Sequence, residues 1–152
     1  MLRQPFVILS IIGLLVLPAA SWEATPNELA NAWSVTDAPA QGLQAIATRL
    51  AGGTGVRHVA TSIHACTGFT GAVFAGPQEV RVTLRDGTSG IGTILWTGYT
   101  SAGSNVPACI NVSGLSFVGS PNTVMTLEYE AAPAGGMLQT VTLTGFSFKG
   151  SP

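Results

Sequence analysis

Two histidines, seven carboxylate side chains and two cysteines carry most of the reactive chemistry in this 152-residue chain. His58 and His64 fall in a run from Val56 to Cys66 that alternates as a β-strand. Six positions apart on one strand, they share a face and stand about 20 Å apart at roughly 3.3 Å per residue, too far to hold one metal ion. Each reads as an ordinary strand histidine. A hydrolytic triad would need His64 to meet Asp86 and a serine, and no Gly-x-Ser-x-Gly elbow is present to present one. Glu128 and Glu130 are same-face neighbours of a strand, so they look outward together. A retaining glycosidase pair needs carboxyls about 5 Å apart across a cleft. The expectation for Glu128 and Glu130 is a solvated edge that discourages strand-to-strand aggregation. Asp86-Gly87-Thr88-Ser89-Gly90 offers one carboxylate, a poor start for calcium, and reads as a turn. No catalytic residue, metal ligand or cofactor site is assigned.

Cys66 and Cys109 are the only cysteines. Without ligand-spaced His or Cys beside them they do not read as a zinc site. In an oxidising compartment they would join, closing a long loop and adding roughly 3 to 4 kcal/mol by restricting the unfolded chain. The alternative is two separate buried thiols, since Cys packs as a small hydrophobe. Asn111-Val112-Ser113 is a formal glycosylation sequon. Aromatic side chains are the remaining handle. Trp96 and Tyr99 are three apart and so face opposite sides of a strand, one towards the core and one outward. Phe69 and Phe74, in a Gly-rich loop from Thr67 to Pro77, are further candidate contacts with a ligand or a neighbouring subunit, as is Met137.

The elements that must position these groups are nearly all strands. Period-two patterning runs over Leu43–Leu50, Val56–Cys66, Glu79–Asp86, Thr93–Tyr99, Ala108–Val112, Leu115–Val118, Thr123–Glu130 and Leu138–Lys149. Val80, Val82 and Leu84 form one inward face, and Met125, Leu127 and Tyr129 another. In the last strand Val141 and Leu143 differ in parity from Phe146 and Phe148. Gly145, between them, is where a bulge would switch the inward face. Before Leu43, Thr25-Pro26-Asn27-Glu28 reads as a capping box for a short helical turn, with Trp33-Ser34-Val35 as an alternative edge strand. No helical crossovers appear, which excludes a parallel βαβ architecture. The expected fold is all-β: a single antiparallel β-sandwich, jelly-roll-like, of about seven or eight strands, with a closed barrel as the lesser alternative.

Composition agrees. Only 9% of residues are charged, against roughly 25% in a typical soluble domain, and glycine numbers 19. Net charge is −1 and the basic residues form no patch, which argues against a nucleic-acid partner. Arg3, the apolar run Phe6–Leu17, Pro18 and the small residues Ala19 and Ser21 read as a signal peptide cut after Ser21. The run is shorter than the roughly 20 residues of a membrane helix, so no stable membrane span is expected after cleavage. The expected organisation is residues 1–21 signal peptide, 22–42 lead-in and 43–150 sandwich.

Gly55-Val56-Arg57-His58, Val82-Thr83-Leu84-Arg85-Asp86-Gly87, Gly92-Thr93-Ile94-Leu95-Trp96, Gly119-Ser120-Pro121-Asn122-Thr123 and Thr142-Leu143-Thr144-Gly145-Phe146 follow one another in the chain. In this order they resemble small β-sandwich proteins of tailed bacteriophages and prophages, usually virion-associated or decoration-like. The resemblance covers roughly Leu43 to Lys149 and rests on strand-and-turn patterns. It implies a sandwich fold and no catalytic residues. The export signal and the cysteine pair lie outside that pattern and point towards the envelope or the medium. The expected function is therefore a non-enzymatic secreted or virion-like β-sandwich for protein–protein assembly or surface attachment. Its partners would be copies of itself or another surface or virion protein. The alternative is a glycan-binding module on the same fold.

Overall fold

The computed structural model describes residues 31–69, 78–102, 107–133 and 136–149. The segments expected to be a signal peptide and a capping box lie outside them with Phe74, as does the side chain of Phe69. The described residues form eight strands: β1 Ala32–Asp37, β2 Ile46–Arg49, β3 Val56–Phe69, β4 Gln78–Asp86, β5 Thr93–Ala102, β6 Ala108–Val118, β7 Met125–Tyr129 and β8 Met137–Lys149. They divide into two four-stranded antiparallel sheets, β1-β8-β3-β6 and β2-β7-β4-β5. The first strand pairs with the last, the second with the seventh, the third with the sixth and the fourth with the fifth. That is one long hairpin rolled so that successive pairs alternate between sheets, the order of a jelly roll.

The core lies between the sheets. Ile63, Ala65, Val141 and Leu143 come from the first sheet, and Val82, Leu84, Met125, Leu127 and Tyr129 from the second, all fully buried. Each large aliphatic side chain so buried contributes about 1.5 to 3 kcal/mol. Burial raises the Tyr129 phenol to about 12, only partly offset by the Thr100 hydroxyl that donates to it. The turn from β1 to β2, which carries the chain between sheets, is held by Asp37 Oδ2, which accepts the Ile46 N–H at 2.7 Å.

Four details depart from the pattern reading. β1 is an edge strand inside the segment read as a lead-in, and Trp33 on it belongs to the core. β2 is shorter than its pattern, leaving Leu43 and Leu50 exposed. The two pieces on either side of Gly114 are one strand, β6, which bulges there with Gly114 at φ 72°. Such a bulge blunts an edge strand against pairing with another chain. Finally, β8 does not switch faces at Gly145. Its odd-numbered positions stay buried from Met137 to Ser147, and Phe146 and Phe148 face outward.

The irregularity sits in β3 instead. Ala60 and Ser62 pair with the consecutive residues Gly145 and Thr144, so Thr61 is unmatched. One extra residue reverses side-chain parity. His58 and Ala60 face inward before it, and Ile63, Ala65 and Thr67 face inward after it. Gly145 has a different task. A Cβ there would lie 1.9 Å from the Val59 carbonyl oxygen and 2.7 Å from the Trp33 indole. The missing side chain is what lets Trp33 lie over β8. Gly145→Ala is expected to lower stability by about 3 kcal/mol, the upper end of ordinary overpacking, measured as the shift in urea unfolding. A loss near zero would mean that the indole is not seated there.

Candidate functional site

Three groupings of polar side chains emerge from this fold, and they differ in what they can do. The first is internal. His58, 1% exposed, lies between the sheets beside Trp33, their rings edge-on with centroids 5.8 Å apart. Its Nε2 lies 2.8 Å from the Leu50 carbonyl, which can only accept, so Nε2 carries the proton. Nδ1 then accepts from the Ser147 hydroxyl at 2.7 Å, and Ser147 Oγ accepts the Trp33 indole N–H at 2.9 Å. One chain of hydrogen bonds thus joins β1, β8, β3 and the end of β2. Arg49 adds a cation–π contact, 5.6 Å above the Trp33 ring.

A serine against a histidine resembles a nucleophile with its base. Here the hydroxyl is almost fully buried, and the far ring nitrogen is committed to a main-chain carbonyl. The geometry fixes strands rather than a substrate. Burial lowers the His58 pKa below its usual 6.5. The Leu50 hydrogen bond opposes this, Arg49 lowers the value further and Asp86 raises it.

The second grouping covers the outer face of the β2-β7-β4-β5 sheet. Glu128 and Glu130 do not form a solvated edge. β7 lies inside the sheet, and Glu128 is 1% exposed beneath the loop from β4 to β5. Arg85 pairs with it, the Ser89 hydroxyl donates to it, and the Gly90 N–H donates at 3.1 Å. Glu130 accepts from Thr83 at 2.9 Å and lies 3.3 Å from Arg81 and 3.4 Å from Arg85. Breaking the buried Arg85–Glu128 pair costs about 3 to 5 kcal/mol because a charge is left uncompensated. Oxygens of the Asp86–Gly90 turn are engaged within the protein: the Ser89 hydroxyl donates to Glu128, Asp86 Oδ2 accepts the Ser120 N–H at 2.9 Å and the Gly87 carbonyl accepts the Thr126 hydroxyl at 2.9 Å. Tyr99, 58% exposed, pairs in register with Arg81 on this face. Trp96 packs against the core, filling the space where a Gly98 side chain would stand.

The third grouping is the outer face of the β1-β8-β3-β6 sheet, and its chemistry is the opposite. Register places Thr36, Thr142, His64 and Asn111 in one row and Ser34, Thr144, Ser62 and Ser113 in the next. Beyond them come Ala32, Phe146, Val59 and Val118. These three rows hold no Asp, Glu, Lys or Arg. The hydroxyls pair across strands, Thr36 with Thr142 at 2.9 Å and Ser62 with Thr144. Phe146 and Phe148 lie 6.4 Å apart at an interplanar angle of 42°. Cys66 and Cys109 sit directly opposite each other in register and are joined, with Cα atoms 4.1 Å apart. His64 Nε2 lies 3.3 Å from Cys66 Sγ.

The Thr61 bulge places the two histidines on opposite faces of the sheet, so the shared face expected for them does not exist. His64 meets the disulfide rather than Asp86. The His64-x-Cys66 spacing is a same-face pair on a strand, and the sequence reading overlooked it. Neither the protein-family models nor the curated proteins contain a match to this chain.

The His58 chain of hydrogen bonds requires a neutral ring, which sets a pH dependence. The unfolded chain takes up this proton near 6.5, and the folded protein only lower. The contribution of His58 is complete above 6.5 and declines as pH falls from there towards the folded value. The urea midpoint of the wild type should drop more between pH 7.5 and pH 5 than that of His58→Gln. Equal drops would contradict the neutral assignment.

Proposed function

We propose that this protein is an exported, non-enzymatic β-sandwich that assembles with copies of itself through the Thr-, Ser- and Asn-rich outer face of the β1-β8-β3-β6 sheet. The observation that carries the reading is the contrast between the two outer faces. One holds Arg81, Arg85, Glu128 and Glu130 in pairs under a folded-back loop. The other presents rows of Thr, Ser and Asn that end on Phe146 and Val118 over a buried Val59, with Val118 and Phe148 48% and 38% exposed. The Thr, Ser and Asn rows carry no charge and can approach identical rows with no like-charge repulsion and little desolvation cost, while Arg57, opposite Phe148 at the end of the face, donates to the Gly119 carbonyl.

Export is supported by the Phe6–Leu17 pattern and by the disulfide, which suits an oxidising compartment. Among the described residues no helix is long and apolar enough to cross a membrane. The jelly-roll order is used by viral capsid and lectin domains alike. It therefore accommodates a virion-like assembly role, in keeping with the phage resemblance, without choosing it. A second reading, glycan binding, draws on exposed Tyr99 beside the Arg81–Glu130 pair, where a sugar ring could stack and hydrogen-bond.

Sedimentation velocity of the exported protein across the micromolar range separates the readings. The wild type should sediment as an oligomer. The double variant Thr36→Arg, Asn111→Arg, which sets two charges at exposed positions of one row, should be monomeric, and Tyr99→Ala should match the wild type. A monomeric wild type would overturn assembly. Glycan-array binding that disappears in Tyr99→Ala would establish the second reading in its place.

A further inference from the structure

We infer that the Cys66–Cys109 disulfide with His64 is a thiol–disulfide exchange site of defined polarity, in which Cys109 is attacked and Cys66 leaves. The bond lies on an open sheet face, with Cys109 exposed and Cys66 half-buried. The sulfurs and the His64 ring nitrogen lie within 4.8 Å of one another, but the 3.3 Å contact is to Cys66 Sγ. This asymmetry is what sets the direction. A leaving thiolate departs faster when its own pKa is lowered, and a neighbouring imidazolium lowers it. His64 makes its hydrogen-bonding contact with Cys66, so the effect is larger there.

The step balances without any other group. The thiolate of an external dithiol attacks Cys109 Sγ in line with the existing bond. A sulfur–sulfur bond forms between the dithiol and Cys109, and the Cys66–Cys109 bond breaks. Its electron pair leaves on Cys66, where it is held by the His64 imidazolium or takes that ring's proton. The second thiol of the dithiol, losing its proton, then attacks the mixed disulfide. The dithiol is oxidised to its own disulfide, and Cys109 is released as a thiolate that takes up the proton. Overall the protein gains two electrons and one proton from the dithiol, and where Cys66 has taken the ring's proton, water returns a proton to His64. A monothiol on another protein would stop at the first stage, covalently attached through Cys109.

The groups facing His64 from the neighbouring strands are Thr142 on β8 and Asn111 on β6, with Thr36 on β1 in the same row. None of them titrates, so any pH dependence contributed by this row belongs to His64 itself. Other features of the fold do not require this contact. β3 and β6 are held by their backbone register over the length of β6, and His64 is exposed.

The test is reduction of the folded, exported protein by dithiothreitol at pH 6 and pH 8.5, comparing wild type with His64→Ala and His64→Lys. The ratio of wild-type to His64→Ala rate should be about fivefold at pH 6 and near one at pH 8.5. His64→Lys should be accelerated over His64→Ala at both pH values. Near-ultraviolet circular dichroism of the oxidised proteins confirms that each variant is folded. Trapping the reaction with glutathione and an alkylating agent, followed by peptide mass spectrometry, should place glutathione on Cys109 and the alkyl group on Cys66. Equal rates for wild type and His64→Ala at pH 6, or glutathione predominantly on Cys66, would overturn the assignment, as would a disulfide reducible only in denaturant.

Discussion

A single unpaired residue, Thr61, governs how chemistry is distributed in this molecule. β3 is the central partner of its sheet, bonded to β8 on one side and β6 on the other. Side chains on a strand alternate strictly, so an inserted residue exchanges the two faces for everything beyond it. Before the bulge the even positions His58 and Ala60 point into the core. After it the even positions Ser62, His64 and Cys66 point out. The same strand thus supplies a buried histidine that knits the sandwich at one end and an exposed histidine beside a disulfide towards the other.

The two sheets solve the problem of a low charge count in different ways. Four acidic and basic side chains meet on one outer face, where Glu128 and Glu130 neutralise Arg81 and Arg85 and fasten the loop after β4. The other face is left with threonine, serine and asparagine, whose hydroxyls bond to one another across strands. Such pairs satisfy polar groups without fixing charges, and they are of the kind that contributes roughly 0.2 to 1 kcal/mol each in a sheet. The result is a sandwich with one ionic exterior and one exterior dominated by uncharged hydroxyl and amide side chains. Gly145 and Trp33 stabilise the inner side of that second sheet, where the absence of a Cβ allows an indole to reach Ser147.

Much of the fold was legible in the residues. The alternation of Val80, Val82 and Leu84 and of Met125, Leu127 and Tyr129 located the core strands, and the turn after Asp86 located a hairpin. The cysteine pair is joined. What escaped the pattern has physical reasons. The Thr61 bulge carries no glycine or proline to mark it, since the extra residue is accommodated by the pairing and not by an unusual φ. Phe146 and Phe148 look like core residues by type. Gly145, between them, marks the close approach of Trp33 rather than a change of face. Glu128 looks solvated by alternation, because nothing local in sequence reveals that a loop starting some 40 residues earlier will cover it. β1 was legible only as an alternative to a helical turn, at Trp33-Ser34-Val35, because a six-residue edge strand depends on the partner that it finds in β8, not on its own propensity.

The account stands on the partition of the two histidines, and chemical modification reads that partition directly. Diethyl pyrocarbonate acylates an accessible neutral imidazole nitrogen. Treatment of the native protein at neutral pH, followed by peptide mass spectrometry, should modify His64 and leave His58 intact until the protein is unfolded. Comparable modification of both histidines in the native protein would mean that the parity of β3 does not reverse at Thr61, and the hydroxyl-rich face and the interior network described above would have to be redrawn.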